Sequence, residues 1–300
     1  MIPFVREIEF EYGRCDRVSL SIRRVIADNP GPFTYVGTGT YIVGRGTVAV
    51  IDPGPDLDGH LQALLAALEG ETVSHILITH HHSDHSPLAR PLQAATGATI
   101  FGRRAPHLAE LAPAAGQPAL EAGEDEGFRP DVEIADGDLF EGPGWTLRAV
   151  TTPGHTSNHV CFALKEENAL FSGDHVMGWS TTVITPPDGD MGDYFASLEK
   201  VRAEGFDTLW PTHGAPVREV APFLQAYADH RRAREAQVLA ALARGPSTIG
   251  AMVPTLYAAV DPRLHPAAAM SVLAHMLLLV REGRVTCDGG AGLNGTYRLA

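Results

Sequence analysis

Along the first 220 residues the apolar positions fall mostly in short runs separated by turn residues, a pattern of strands rather than of long helices. TYIVG (40–44) and TVAVID (47–52) flank Arg45-Gly46, which predicts a hairpin with a two-residue turn. Leu57, Leu61, Leu64, Leu65 and Leu68 then recur at helical spacing, predicting an amphipathic helix that Gly70 ends. HILIT (75–79) reads as a buried strand. TLRAVTT (146–152), HVCFAL (159–164), ALFSG (169–173) and TLWPT (208–212) read as further strands, with a helix from about 192 to 203 before the last. The Ala/Pro/Gly/Glu-rich stretch from Arg104 to Pro130 reads as a partly helical surface excursion.

After about Pro216 the pattern changes to Ala/Leu/Arg helices, at 222–243, 247–257 and 266–282, followed by a terminal hairpin over 282–286 and 296–299. Three helices and a hairpin describe a winged-helix-like module. The expected organisation is therefore two units, 1–220 and 221–300. LAHMLLLV (273–280) stops at Arg281, and the start of the chain mixes acids and arginines into its apolar residues, so neither a spanning segment nor a signal peptide is expected. Cys15, Cys161 and Cys287 are too scattered for a disulfide framework or a thiolate metal site, which points to a reducing cytoplasm.

The net charge of −13 argues against binding nucleic acid or an anionic membrane through bulk electrostatics. Residues 221–300 contain eight arginines against five acids, and the group Arg231, Arg232 and Arg234 is flanked by Asp229 and Glu235. Packing or substrate gating is favoured over nucleic-acid binding for that module.

Fourteen histidines are many for 300 residues, and imidazole is the commonest metal ligand. Directly after HILIT, His80, His82, Asp84 and His85 spell H-x-H-x-D-H. In extended chain the two-residue period puts His80, His82 and Asp84 on one side, and His85 joins them where the chain turns into a helix that Ser83 or Asp84 is expected to cap. Other strand ends carry His155 in Thr-Pro-Gly-His, Asp174 in Ser-Gly-Asp and His213 in Pro-Thr-His-Gly. Seven donors at the Gly- and Pro-marked ends of strands describe a metal site on one edge of a layered sheet structure.

This order of motifs, with Asp52 in Ile-Asp-Pro-Gly ahead of it, resembles the metallo-β-lactamase superfamily over roughly residues 20–215. The resemblance implies a four-layer αββα sandwich. It also implies a first metal held by His80, His82 and His155, a second by Asp84, His85 and His213, Asp174 bridging them, and Asp52 supporting the loop without ligating. Pro-Gly-His155-Thr-Ser-Asn-His159, Gly173-Asp174-His175 and the helical module resemble the lactamase-β-like branch, which includes endoribonucleases and carrier-protein thioesterases.

The expected chemistry is hydrolysis by a hydroxide bound to two divalent cations, with zinc best suited to the donors and manganese or iron compatible with them. Asp84 is the expected proton acceptor, and His159 the expected hydrogen-bond partner of the oxyanion. A thioester, ester or lactone, small or carried on an acyl carrier, is the expected substrate. A phosphodiesterase or endoribonuclease and a mononuclear-iron persulfide oxidoreductase are the alternatives. His81 is expected to orient the motif or lie exposed, and His175 to reach the site mouth. Trp179, Thr181 and Tyr194 are candidates for a substrate wall. His60, His75, His107, His230, His265 and His275 are expected in the surface or the core.

Overall fold

In the computed structural model, residues 2–104 and 123–300 are described. The first sheet runs β1 (Cys15–Arg17), β2 (Ile22–Ile26), β3 (Gly39–Arg45), β4 (Thr47–Ile51), β5 (Thr72–Leu77), β6 (Thr99–Gly102) and β7 (Val132–Glu133) in spatial order. It is antiparallel as far as β4 and parallel beyond it. The second sheet contains β8 (Leu139–Gly142), β9 (Trp145–Thr151), β10 (Val160–Leu164), β11 (Ala169–Gly173) and β12 (Thr208–Pro211), the last pair parallel.

Alternation along the strands builds three apolar layers. Tyr41, Val43, Ala49 and Ile51 of the first sheet meet Leu147, Val160, Phe162 and Phe171 of the second. The opposite parity, Ile42, Val48 and Val50, packs under α1 (Asp58–Ala67) and α2 (Ala89–Thr96) through Leu64 and Leu92. Val150, Cys161 and Leu170 turn the other way, onto Tyr194, Leu198 and Val201 of α3 (Met191–Glu204). The αββα order expected from the resemblance is the order observed.

The hairpin at Arg45-Gly46 forms with a tighter turn than expected: Arg45 pairs with Thr47, leaving Gly46 alone at φ 73°. The strand expected over 75–79 spans Thr72–Leu77, so Ile78 and Thr79 already belong to the loop that carries the H-x-H-x-D-H motif. Strands β1, β2, β6, β7 and β8 have no counterpart among the expected elements, and the helix expected after the motif is α2. Of the expected excursion at 104–130, residues 105–122, with His107, lie outside the described residues.

The remaining chain folds as α4 (Val220–Leu242), α5 (Ile249–Leu256), α6 (His265–Arg281) and a small sheet of β13 (Ser247–Thr248), β15 (Thr296–Leu299) and β14 (Val285–Asp288), with β15 in the middle. Helix α4 belongs to two cores. Val220, Phe223, Leu224, Tyr227 and Ala228 pack with α3 and the second sheet, while Val238 and Leu242 pack with Met252, Met276 and Tyr297. By length and composition the segment Pro262–Arg281 passes as a membrane span, yet Met270, Val272, Leu273, Met276 and Leu279 are buried in the module's own core.

Candidate metal centre

The ligand-type side chains all follow the C-terminal ends of strands: His80, His82, Asp84 and His85 after β5, His155 after β9, Asp174 after β11 and His213 after β12. Strand β9 is antiparallel to β10, and β10 to β11, so β9, β11 and β12 point the same way and deliver their loops to one edge. All seven are buried there.

Two groups of donor atoms form, His80 with His82 and His155, and Asp84 with His85 and His213, each within 4.8 Å. Asp174 also forms a group with His80 and His85. It stands between the two: its Oδ2 is 3.7 Å from His85 Nε2 and 3.9 Å from His155 Nε2, and its Oδ1 is 3.5 Å from His213 Nε2.

The second partner of each ring decides which nitrogen faces inward. His155 Nδ1–H donates to Val183 O (2.7 Å) and His213 Nδ1–H to Gly37 O (3.1 Å), so each turns its Nε2 inward. His85 Nδ1–H donates to Asp52 Oδ2 at 2.9 Å. Thr79 Oγ1 gives its proton to Asp52 Oδ2, and therefore accepts from His80 Nδ1–H at 3.0 Å. His82 instead turns Nδ1 inward, 3.0 Å from His80 Nε2 and 3.2 Å from His155 Nε2.

Asp52 sits at φ 48° and also accepts from Thr79 N–H and Thr212 Oγ1, which ties the loops after β4, β5 and β12 together. The chain turns at the motif through His85 N–H and Ser86 N–H to His82 O, not through a helix cap. The expected capping by Ser83 or Asp84 is thus corrected: α2 begins at Ala89, and no side chain caps it.

This donor set fits divalent cations. Asp84 Oδ1 and Asp174 Oδ1 are buried with no hydrogen-bond partner, and imidazole nitrogens of His80, His82 and His155 crowd together at 3.0–3.2 Å, a donor set suited to positive charge between them. The electrostatics agree. Burial and the neighbouring rings hold His80 and His82 well below the usual imidazole range. Burial opposes charging of His85 and His213 too, but Asp84 and Asp174 reverse it, holding His85 well above the ordinary value and His213 at about 10. The same imidazoles outweigh burial at Asp84 and Asp174 and keep both carboxyls ionised.

His159 does not offer a donor to an oxyanion. Its Nε2 accepts Asp174 N–H (3.2 Å), so the proton is on Nδ1, which donates to Thr152 Oγ1 (2.8 Å). It is fully buried and positions the backbone of Asp174. Gly173, at φ 51°, makes this approach possible, since a Cβ there would lie 2.6 Å from His159 Nε2. His175 is likewise fully buried, against Tyr194 at 5.0 Å between ring centroids, and does not reach the mouth. His81 is buried and faces Asn158 Oδ1 at 3.1 Å, the orienting option.

The centre opens into a cleft of about 290 Å³. His82, Asp84, His155 and Asp174 line it together with Trp179, Thr181, Arg231, Arg234 and Tyr257. Trp179 and Thr181 therefore belong to the wall. Tyr194 does not, because it is fully buried with its hydroxyl donating to His175 O (2.9 Å). His230, expected in surface or core, also lines the cleft. The gating role expected for the C-terminal module fits its place over the cleft, but Arg231, Arg234 and Tyr257 were not among the expected wall residues. A signal for the first existed: Arg231 continues the apolar face Phe223, Leu224, Tyr227, Ala228 at helical spacing, where a charged residue is out of place unless it serves something.

Residues 34–213 match the model of the metallo-beta-lactamase superfamily, and residues 248–292 that of the beta-lactamase associated winged helix domain. The chain belongs to the metallo-beta-lactamase superfamily. Its C-terminal end is a winged helix of the kind associated with that fold. Lactamase-like protein adaB of Aspergillus niger is 34% identical over 76% of this chain and 66% of its own length. The atrochrysone carboxyl ACP thioesterase of Aspergillus terreus is 34% identical over 76% of this chain and 65% of its own. The chain thus spans slightly less than two thirds of these relatives. A beta-lactamase domain protein from Burkholderia ambifaria shares the fold over 100% of this chain and 97% of its own, with a TM-score of 0.81 at 21% identity.

Proposed function

We propose that this protein is a hydrolase that holds two zinc ions and cleaves a thioester, or a related ester or lactone, whose acyl group is presented by a small thiol or an acyl carrier. The carrying observation is the set of inward-facing nitrogens, those of His80, His85, His155 and His213 fixed by partners of their own, around two carboxylates at the foot of a cleft. His80, His82 and His155 would hold one ion, Asp84, His85 and His213 the other, and Asp174 both. Bound cations supply acidification of water and polarisation of the scissile carbonyl. Asp84 Oδ1, unpartnered and at the cleft, takes the proton released by the attacking water. Asp52 and His159 keep their neighbours in place throughout.

The thioester reading is supported by the relatives named as carrier-protein thioesterases. The roofing of the cleft by α4 and the C-terminal module supports a gating role for that module over nucleic-acid binding. Three cysteines without a disulfide support a cytoplasmic setting. Metal analysis joined to activity profiling tests the reading: two zinc equivalents and hydrolysis of N-acetylcysteamine thioesters are expected. One iron with sulfide-dependent oxygen uptake, or RNA cleavage without acyl hydrolysis, overturns it.

A further inference from the structure

Arg231, a guanidinium cation, is 3% exposed. Its Nη2 donates to Thr182 O, its plane lies 5.0 Å from the Tyr194 ring centroid, and its Nε has no partner. Arg234, one turn on, donates Nη1 to Leu256 O (2.6 Å) and Gln237 Oε1 (2.8 Å) and stacks 3.9 Å over Tyr257. Among the described residues neither meets a carboxylate. Nearby His230 and His275 are driven towards the neutral form by burial and then by these two arginines, so they relieve nothing. A charge taken from water is strongly unfavourable unless a counter-charge reaches it. Both residues line the cleft that holds the metal ligands, so whatever enters the cleft can supply that counter-charge to the buried Arg231.

We propose that Arg231, with Arg234 beside it, is a receiving site for an anionic group of the substrate, a carboxylate or a phosphate, on the wall that α4 gives the cleft. The planar fork suits either group. The inference rests on the acyl-thioester reading and sharpens it: the anion is a carboxylate on the acyl chain or the phosphate of a carrier arm.

Calorimetry on the metal-loaded protein with uncleavable ligands tests it without hydrolysis. S-(4-carboxybutyl)-N-acetylcysteamine is compared with the S-pentyl thioether, and 4′-phosphopantetheine with pantetheine. The charged member of one pair is expected to bind at least ~10-fold tighter, and the pair that shows it identifies the source. Because a carboxylate also binds metal, the decisive comparison is Arg231→Gln, in which the preference falls to within about twofold. Equal binding within both pairs by the wild type, or a preference unchanged in folded R231Q, overturns the proposal. Should R231Q fail to fold, Arg234→Gln decides: a several-fold smaller preference supports the site, and an unchanged one removes it. A preference that persists in an enzyme inactive on every thioester leaves this site standing and counts against the functional reading.

Discussion

Asp52 and His85 face each other across 2.9 Å with almost no exposure to solvent, and this contact sets which nitrogen His85 turns to the centre. An amide at position 52 keeps the shape but loses the charge and one acceptor. Asp52→Asn should therefore weaken the second metal by about 10- to 100-fold. Competition with a chromophoric chelator measures this, and unaltered affinity at both sites would refute the role given to Asp52.

Chelation should abolish activity and lower stability together. Without cations the nitrogens of His80, His82 and His155 face one another at 3.0–3.2 Å and two carboxylate oxygens remain unpaired. Metal at 1,000-fold its Kd contributes about 4 kcal/mol, so stripping it should lower Tm by roughly 10 °C. Melting curves before and after chelation, with zinc added back, check this. An unchanged Tm speaks against a filled centre.

His159 acts through Asp174. His159→Ala should weaken metal binding about 10-fold while kcat recovers towards the wild-type value at saturating zinc. A kcat that stays low with both sites filled would restore the direct oxyanion role.

His275 is buried in the C-terminal module with both nitrogens unpartnered, and burial, then Arg231 and Arg234, push it down to about 3. The unfolded chain binds this proton at an ordinary pKa of about 6.5 and the folded one does not. Stability is therefore intact above about pH 6.5 and lost as the pH falls towards 3, by about 2 kcal/mol at pH 5. His275→Phe should remove that loss, raising Tm more at pH 5 than at pH 8. An equal shift at both values would show that the ring titrates normally in place.

The ligands were legible because four of them are nearly consecutive and the other three end strands beside Gly or Pro. The layers followed from alternation wherever a strand is apolar on both faces, as in β10. Strand β2 escaped because Arg23 and Arg24 interrupt its pattern, though Arg24 is buried and Arg23 pairs with Glu71 at 2.5 Å. Tyr194 was misplaced because neighbours in sequence to a wall loop can face the core. The residues that roof the cleft were hidden because their placement is tertiary: Arg231 reaches Thr182, 49 residues away. Nothing in local period or composition carries such a contact.

One continuous helix of 23 residues, α4, is anchored at one end in the core beneath the metal centre and at the other in the winged helix. Such a beam does not flex without losing its own hydrogen bonds. The C-terminal module is therefore held at a set place over the cleft, and its gating rests on the side chains it presents there rather than on a hinge in α4. Reaction and selection are thereby divided along the chain: replacements in α4 or at Tyr257 can change what the cleft admits while the ligand-bearing loops stay as they are.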